Sequence, residues 1–162
     1  MNREKPSKKI VSPEQALEKA RRYCAYQERS QQEVRDKLYE LGLHRPQVEE
    51  AIARLITENF INEERFAIAF AGGKFRMKHW GRIRIRLALE QKKVSPYCIR
   101  KALEQFSAAE YLHTLRKAAA AQKKKTPEKN PLKKNFIIAR HLISRGFEPE
   151  LVWEELKQDD AV

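Results

Sequence analysis

Apolar positions along this chain recur with a helical period, and they do so inside a larger unit that repeats. Ser30 to Leu55 (SQQEVRDKLYELGLHRPQVEEAIARL) and Gly81 to Phe106 (GRIRIRLALEQKKVSPYCIRKALEQF) share one pattern. Slid by 51 positions, Val34, Leu38, Leu43, Val48 and Ile52 land on Ile85, Leu89, Val94, Ile99 and Leu103. A further 53 carries them to Ile138, Leu142, Phe147, Val152 and Leu156. Self-similarity at such a spacing predicts one supersecondary unit used three times.

Local signals place the helices within that unit. Ser12 is the expected cap of the first helix and Pro13 its first residue, with Ala16, Leu17, Ala20, Tyr23 and Cys24 on the apolar face. Ser30 and Glu33 read as a capping box for the second. Val34, Lys37, Leu38 and Leu41 form its inward stripe, and Gly42 ends it in the left-handed conformation. Pro46 begins the third, which carries Val48, Ala51, Ile52 and Leu55. In the second unit Asn62 is the expected cap, and Phe66, Ala69, Phe70, Gly73 and Met77 the expected apolar face.

The stretch Arg82 to Arg86 (RIRIR) alternates like a strand, but five residues do not decide by period. Its alignment does, since Ile85 and Leu89 take the places of Val34 and Leu38, so the segment is predicted helical. Ile83 and Leu87 give it a second apolar face, as a middle repeat covered on two sides requires. Ser95-Pro96 starts the next helix. The third unit opens with a helix over Ala108 to Lys124, followed by a linker from Lys123 to Pro131 in which Pro127 and Pro131 block continuation. Phe136 to Arg145 and Glu150 to Lys157, joined through Gly146, complete it. The reading is all-α: three tandem three-helix repeats (residues 12–60, 61–106 and 107–157) in an elongated, curved array. A disordered basic N-terminus (1–11) and a frayed tail (158–162) flank them.

Charge changes the picture. Lys and Arg number 34 against 22 Asp and Glu, a net charge of +12. Such an excess points toward nucleic acid, an anionic membrane or an acidic protein surface. It is not evenly spread. Ser30 to Phe66 holds eight acidic and five basic residues, Lys74 to Lys101 holds ten basic residues and only Glu90, and Arg116 to Lys134 holds eight and only Glu128. The candidate binding residues are therefore Lys74, Arg76, Lys78, Arg82, Arg84, Arg86, Lys92, Lys93, Lys123, Lys124 and Lys125. A charge run is also what an ordinary solvated helix face looks like. Here Phe75 and Trp80 are interleaved, and Arg82 and Arg86 share a face at i,i+4 with no acidic neighbour in sequence, which favours a binding face.

Other chemistry finds no support in the pattern. His44, His79, His113 and His141 lack metal-ligand spacing, and there is no phosphate-cradling glycine loop. Cys24 and Cys98 fall on apolar helix faces and read as buried, unlinked core residues. Gly72-Gly73 reads as close helix packing or a kink, and Trp80 and Trp153 as packing residues. No apolar run approaches the roughly 20 residues of a membrane span, and MNREKPSKKI lacks an apolar h-region. The expectation is a cytoplasmic, monomeric non-enzyme without a cofactor.

Several of these segments resemble one family. Arg29-Ser30, Glu33-Val34, Lys37-Leu38 and Gly42, then Phe60-Ile61-Asn62-Glu63-Glu64-Arg65-Phe66-Ala67, Gly81-Arg82-Ile83-Arg84-Ile85 and Arg145-Gly146-Phe147 are similar, in order and spacing, to the bacterial RecX regulators. The similarity runs from about Glu14 to Leu156. Asn62 stands where that family usually has Asp, Lys93 replaces the usual Gly, predicting a looser turn, and Ala71-Gly72-Gly73 differs from the usual run. The resemblance implies a cytoplasmic protein that binds the filament of the RecA recombinase on DNA and modulates it, usually by inhibition. It implies no catalytic residue and no cofactor. The alternative is a helical protein that binds single-stranded DNA without RecA.

Overall fold

The computed structural model describes residues 11–160, so residues 1–10 of the segment expected to be disordered and the last two of the tail lie outside it, while Val11 is half-buried against the first core rather than disordered. Among the described residues every regular element is an α-helix. In order these are α1 (Pro13–Tyr26), α2 (Gln31–Glu40), α3 (Arg45–Thr57), α4 (Glu63–Lys78), α5 (Arg82–Gln91), α6 (Pro96–Glu104), α7 (Ala108–Lys125), α8 (Pro131–Ser144) and α9 (Pro149–Asp160). They form two compact units that divide between Phe66 and Ala67.

The first unit packs α1, α2 and α3 around Leu17, Ala20, Val34, Leu38, Val48, Ile52 and Leu55. Its helix starts follow from the caps. Ser12 and Ser30 each accept from the third backbone N–H of their helix, while Gln15 and Glu33 reach back to the cap N–H. Arg29 ties α1 to α2, stacking 3.8 Å from the Tyr23 ring centroid and donating to the Tyr23 carbonyl. Forked guanidinium pairs lock the helices together: Arg21 to Glu58 (2.9 and 2.9 Å) and Arg35 to Glu49 (2.8 and 3.2 Å). These hydrogen bonds hold the Glu58 and Glu49 carboxyls below the usual range, so part of this unit's acidic charge is internally neutralised. Asn62 caps α4 as expected, accepting from the Arg65 N–H at 2.9 Å.

The second unit runs from Ala67 through α9. Its centre is an aromatic column: Phe106 to Phe75, Phe75 to Tyr111 and Tyr111 to Phe147, with ring centroids 4.2, 5.8 and 5.6 Å apart. Four helices among the described residues end in one way: α3 does so at Asn59 (φ 63°), with Asn59 N–H on the Ile56 carbonyl and Phe60 N–H on that of Leu55 at 2.9 Å, and three others do so at equivalent positions of the repeat. Gly42, Lys93 and Gly146 take φ of 95°, 60° and 100°. Each N–H reaches back three residues, and the next N–H reaches the carbonyl of Leu38, Leu89 or Leu142 at 3.2, 3.1 and 3.2 Å. The apolar residue that follows (Leu43, Val94 or Phe147) is buried each time. The turn at Lys93 is therefore as tight as the glycine turns, contrary to the looser one expected.

Other expectations need correction. The buried face of α4 is Phe66, Ala67, Ala71 and Phe75, while Ala69 is exposed and Met77 is 81% exposed. That helix is apolar on most sides, so spacing alone selected the wrong stripe. Leu87 is 53% exposed, so the second face of α5 is not covered there. The linker shrinks to residues 126–130, because α7 continues to Lys125 and Pro131 opens α8 as its first residue under an Asn130 cap. Helix α9 reaches Asp160, with Asp159 bound to Lys123 and Asp160 accepting from Asn135, so residues 158–160 are helical rather than frayed. Gly72 is buried, and a Cβ there would lie 2.6 Å from the Arg76 guanidinium and 3.1 Å from Gln105 Oε1, the ends of two flexible side chains rather than another helix's backbone. Cys24 and Cys98 are buried and unlinked. Trp153 is half-buried, 6.2 Å from the exposed Phe136 ring.

Candidate nucleic-acid interface

The basic residues of the second unit are organised around the start of α5. Gly81 caps that helix without a side chain, so its free N–H groups need acceptors from elsewhere. The turn after α8 supplies them: Gly81 N donates to the Arg145 carbonyl at 2.8 Å and Ile83 N to that of Gly146 at 3.0 Å. The Arg82 N–H donates to the Tyr111 hydroxyl at 3.1 Å, which donates in turn to Glu148 at 2.6 Å. Two of the sequence segments singled out above, Gly81-Arg82-Ile83 and Arg145-Gly146-Phe147, therefore meet. A Cβ on Gly81 would lie 2.2 Å from the Gly146 carbonyl carbon, which is why no side chain fits there. Burial, then the bond to Glu148, pushes the Tyr111 phenol well above its ordinary range.

This geometry reassigns Arg82. Its guanidinium lies 3.7 Å from the Tyr111 ring centroid and pairs with Glu148 at 3.2 Å. It is a structural residue with an acidic partner 66 positions away, not half of an uncompensated Arg82–Arg86 pair. Other candidates are also engaged. Arg76 pairs with Glu110 at 3.6 Å, and Lys123 with Asp159 at 2.6 Å. Lys74 and Arg84 lie 4.9 and 4.2 Å from the Trp80 ring centroid, and Lys92 lies 5.6 Å from that of Phe70. Trp80 is thus half-buried among cations, which agrees with a packing role.

Lys78, Arg86, Lys93, Lys124 and Lys125 remain exposed, with no carboxylate partner among the described residues. Arg86 stands on the rim of a groove of about 600 Å³ between α5 and α6. Arg82, Arg100, Glu90, Glu104 and Glu148 share that rim over Val94, Ile99, Leu103 and Phe106. Lys78 and Lys125 line a different cavity, together with Arg145 and His141, which the sequence reading did not join to them. Local charge density could not find that site, because each residue comes from a different stretch. Among the described residues no cluster of three or more His, Cys, Asp or Glu side chains is placed to hold a metal ion, and no helix is long and apolar enough to cross a membrane.

Two family models match this chain: the RecX first three-helix domain over residues 16–55 and the RecX second three-helix domain over residues 62–103. The regulatory protein RecX of Prosthecochloris aestuarii is 32% identical over 144 residues, which is 88% of this chain and 92% of that protein. The one from Chlorobaculum tepidum is 30% identical, covering 88% and 86%. With that of Halalkalibacterium halodurans the identity is 27%, and this chain spans 50% of its length. Among solved structures, RecX from Lactobacillus salivarius superposes with a TM-score of 0.82 at 22% identity over 93% of this chain and 97% of that one. A second RecX crystal structure gives 0.79 at 22%, over 90% and 73%. At that identity the likeness concerns the fold.

Proposed function

The chain belongs to the RecX family of regulatory proteins, and from that premise we propose that it binds RecA–DNA filaments in the cytoplasm and lowers RecA's ATP hydrolysis and strand exchange. The observation that carries this reading is the near full-length match to a regulatory protein RecX. It is supported by cations of the second unit that no carboxylate among the described residues neutralises, Lys78, Arg86, Lys93, Lys124 and Lys125. Such residues suit phosphate or an acidic protein surface, and opposed charge speeds encounter more than it raises final affinity. No covalent chemistry is assigned to any residue, and the protein acts by binding, as a monomer and without a cofactor. The division into repeats at about residues 60 and 107 belongs to the same proposal, each repeat being a unit of contact.

The exposed lysines favour a second reading, a stand-alone single-stranded DNA-binding protein, because basic helices alone suffice for phosphate contacts. Binding to RecA-coated DNA compared with bare single-stranded DNA separates the two. Tighter capture by the coated form supports the filament reading; equal or weaker capture supports the alternative. Arg86→Glu is the appropriate probe of the face, since it removes a cation without a fold role. Arg82→Glu would break the Tyr111–Glu148 network and confound folding with binding.

A further inference from the structure

We propose that the cavity enclosed by the end of α4, the second half of α7 and the last turns of α8 is a binding pocket for a backbone phosphate of a nucleic-acid strand. The proposal rests on the reading that this protein engages DNA. The cavity holds about 400 Å³, and the ionisable groups lining it are Lys78, His79, Lys125, His141 and Arg145, with no carboxylate in the lining. Lys78, Lys125 and Arg145 have no ion-pair partner among the described residues. Elsewhere in the same unit the cations that serve the fold do have one, as in Arg76 to Glu110, Arg82 to Glu148 and Lys123 to Asp159.

The pocket is built, not incidental. The run of alanines in α7 divides by helical phase: Ala119 is buried in the core, while Ala118 and Ala121 line the cavity with small side chains that leave it open. Arg145 is anchored by a hydrogen bond to the Lys78 carbonyl, which uses one of the guanidinium's five donors and leaves others for a ligand. His79, in the left-handed region at φ 53°, turns the chain out of α4 and sets its ring in the wall. Burial, then the neighbouring Arg145 and Lys125, lowers the proton affinity of His141. A cation at a helix C-terminus is favourable by itself. That preference is satisfied in open solvent and does not require three helices to converge on one alanine-floored cavity.

A strand, rather than free phosphate, is the ligand that the surroundings fit. Gln122 and Lys125 also line an adjoining surface depression of about 610 Å³ that Pro127 and Ile137 make largely apolar and that Glu128 and Lys129 border. A phosphate pocket continuing into an apolar one matches a phosphodiester followed by its sugar or base.

The test is a titration of a labelled single-stranded oligonucleotide against the full chain over a range of salt. Lys78→Gln with Lys125→Gln is expected to weaken binding at least about fivefold at low salt and to flatten the slope of log K against log salt by about 0.7, one single-strand phosphate contact. Lys117→Gln with Lys133→Gln removes the same charge from exposed positions outside the pocket and is expected to change affinity less than about twofold. Circular dichroism should be unchanged in both. Equal losses in the two double variants would overturn the pocket in favour of a diffuse field. Independently, the oligonucleotide should raise the pKa of His141 seen by NMR, whereas inorganic phosphate at equal concentration should not; a matching rise with phosphate overturns the assignment to a nucleic-acid strand. If the wild type binds no DNA, the reading that it engages DNA fails. The pocket is then judged by a thymidine dinucleotide alone, where a shift of His141 supports it and no shift overturns it.

Discussion

Lys93 ends α5 at φ 60°, where the equivalent positions of the other repeats, Gly42 and Gly146, carry glycine. A side chain in that conformation costs about 1–2 kcal/mol, and a glycine returns part of this through a freer unfolded chain. Lys93→Gly is therefore expected to stabilise the second unit by a net ~0.5–1 kcal/mol, seen as a higher denaturant midpoint at constant slope. A lower midpoint would mean that the lysine is held there by a favourable contact. Tyr111 makes a second residue-scale prediction. Tyr111→Phe leaves the Arg82 N–H and a Glu148 oxygen without their partner and should cost about 1–3 kcal/mol. The wild-type phenol is held protonated in the fold, so its contribution is full below the ordinary tyrosine range. It is lost as pH rises through that range, because the unfolded chain can then ionise and the folded one cannot. In an alkaline absorbance titration Tyr111 should ionise last of the five tyrosines, together with unfolding. Its ionisation in step with exposed Tyr26 would contradict the network.

At the scale of elements, the junction of α5 with the turn after α8 depends on a glycine for a reason different from that at Gly42. Gly81 has an ordinary φ of −78°, but an added Cβ would strike the backbone of Gly146 and Phe147; Gly42 has open space and a φ of 95°. Gly42→Ala should thus cost about 1–2 kcal/mol of backbone strain. Gly81→Ala should cost about 3 kcal/mol or more, because two backbones must separate. Comparable losses in denaturant titrations would show that the junction yields. This contrast also marks what the sequence could reveal. Local rules sufficed for the caps at Ser12, Ser30 and Asn62, and the repeat shift made Arg82 to Arg86 a helix against its own alternation. They failed where the determinant lay elsewhere in the chain. The buried stripe of α4 is selected by Phe106 and Tyr111, and the role of Arg82 by Glu148; the start of α8, by contrast, is a local signal, an Asn130 cap before Pro131 set among turn residues. The family resemblance named Gly81 and Gly146 without indicating that they touch.

For the whole molecule, the excess of twelve positive charges is the property that most directly links sequence to role. Part of it is committed to the fold by carboxylate partners, and the remainder includes Lys78, Arg86, Lys93, Lys124, Lys125 and Arg145, which have none among the described residues. That remainder was only half legible, since a count along the chain cannot separate Lys123, paired with Asp159, from its neighbours Lys124 and Lys125. The most direct measurement is RecA's DNA-dependent ATP hydrolysis at low salt, with and without this protein, using RecA from the same organism. The rate is expected to fall as the concentration of this protein approaches that of RecA, with the protein bound to the filament and association slowed by added salt. An unchanged rate at equal concentration, with no protein bound to the filament, would contradict the account.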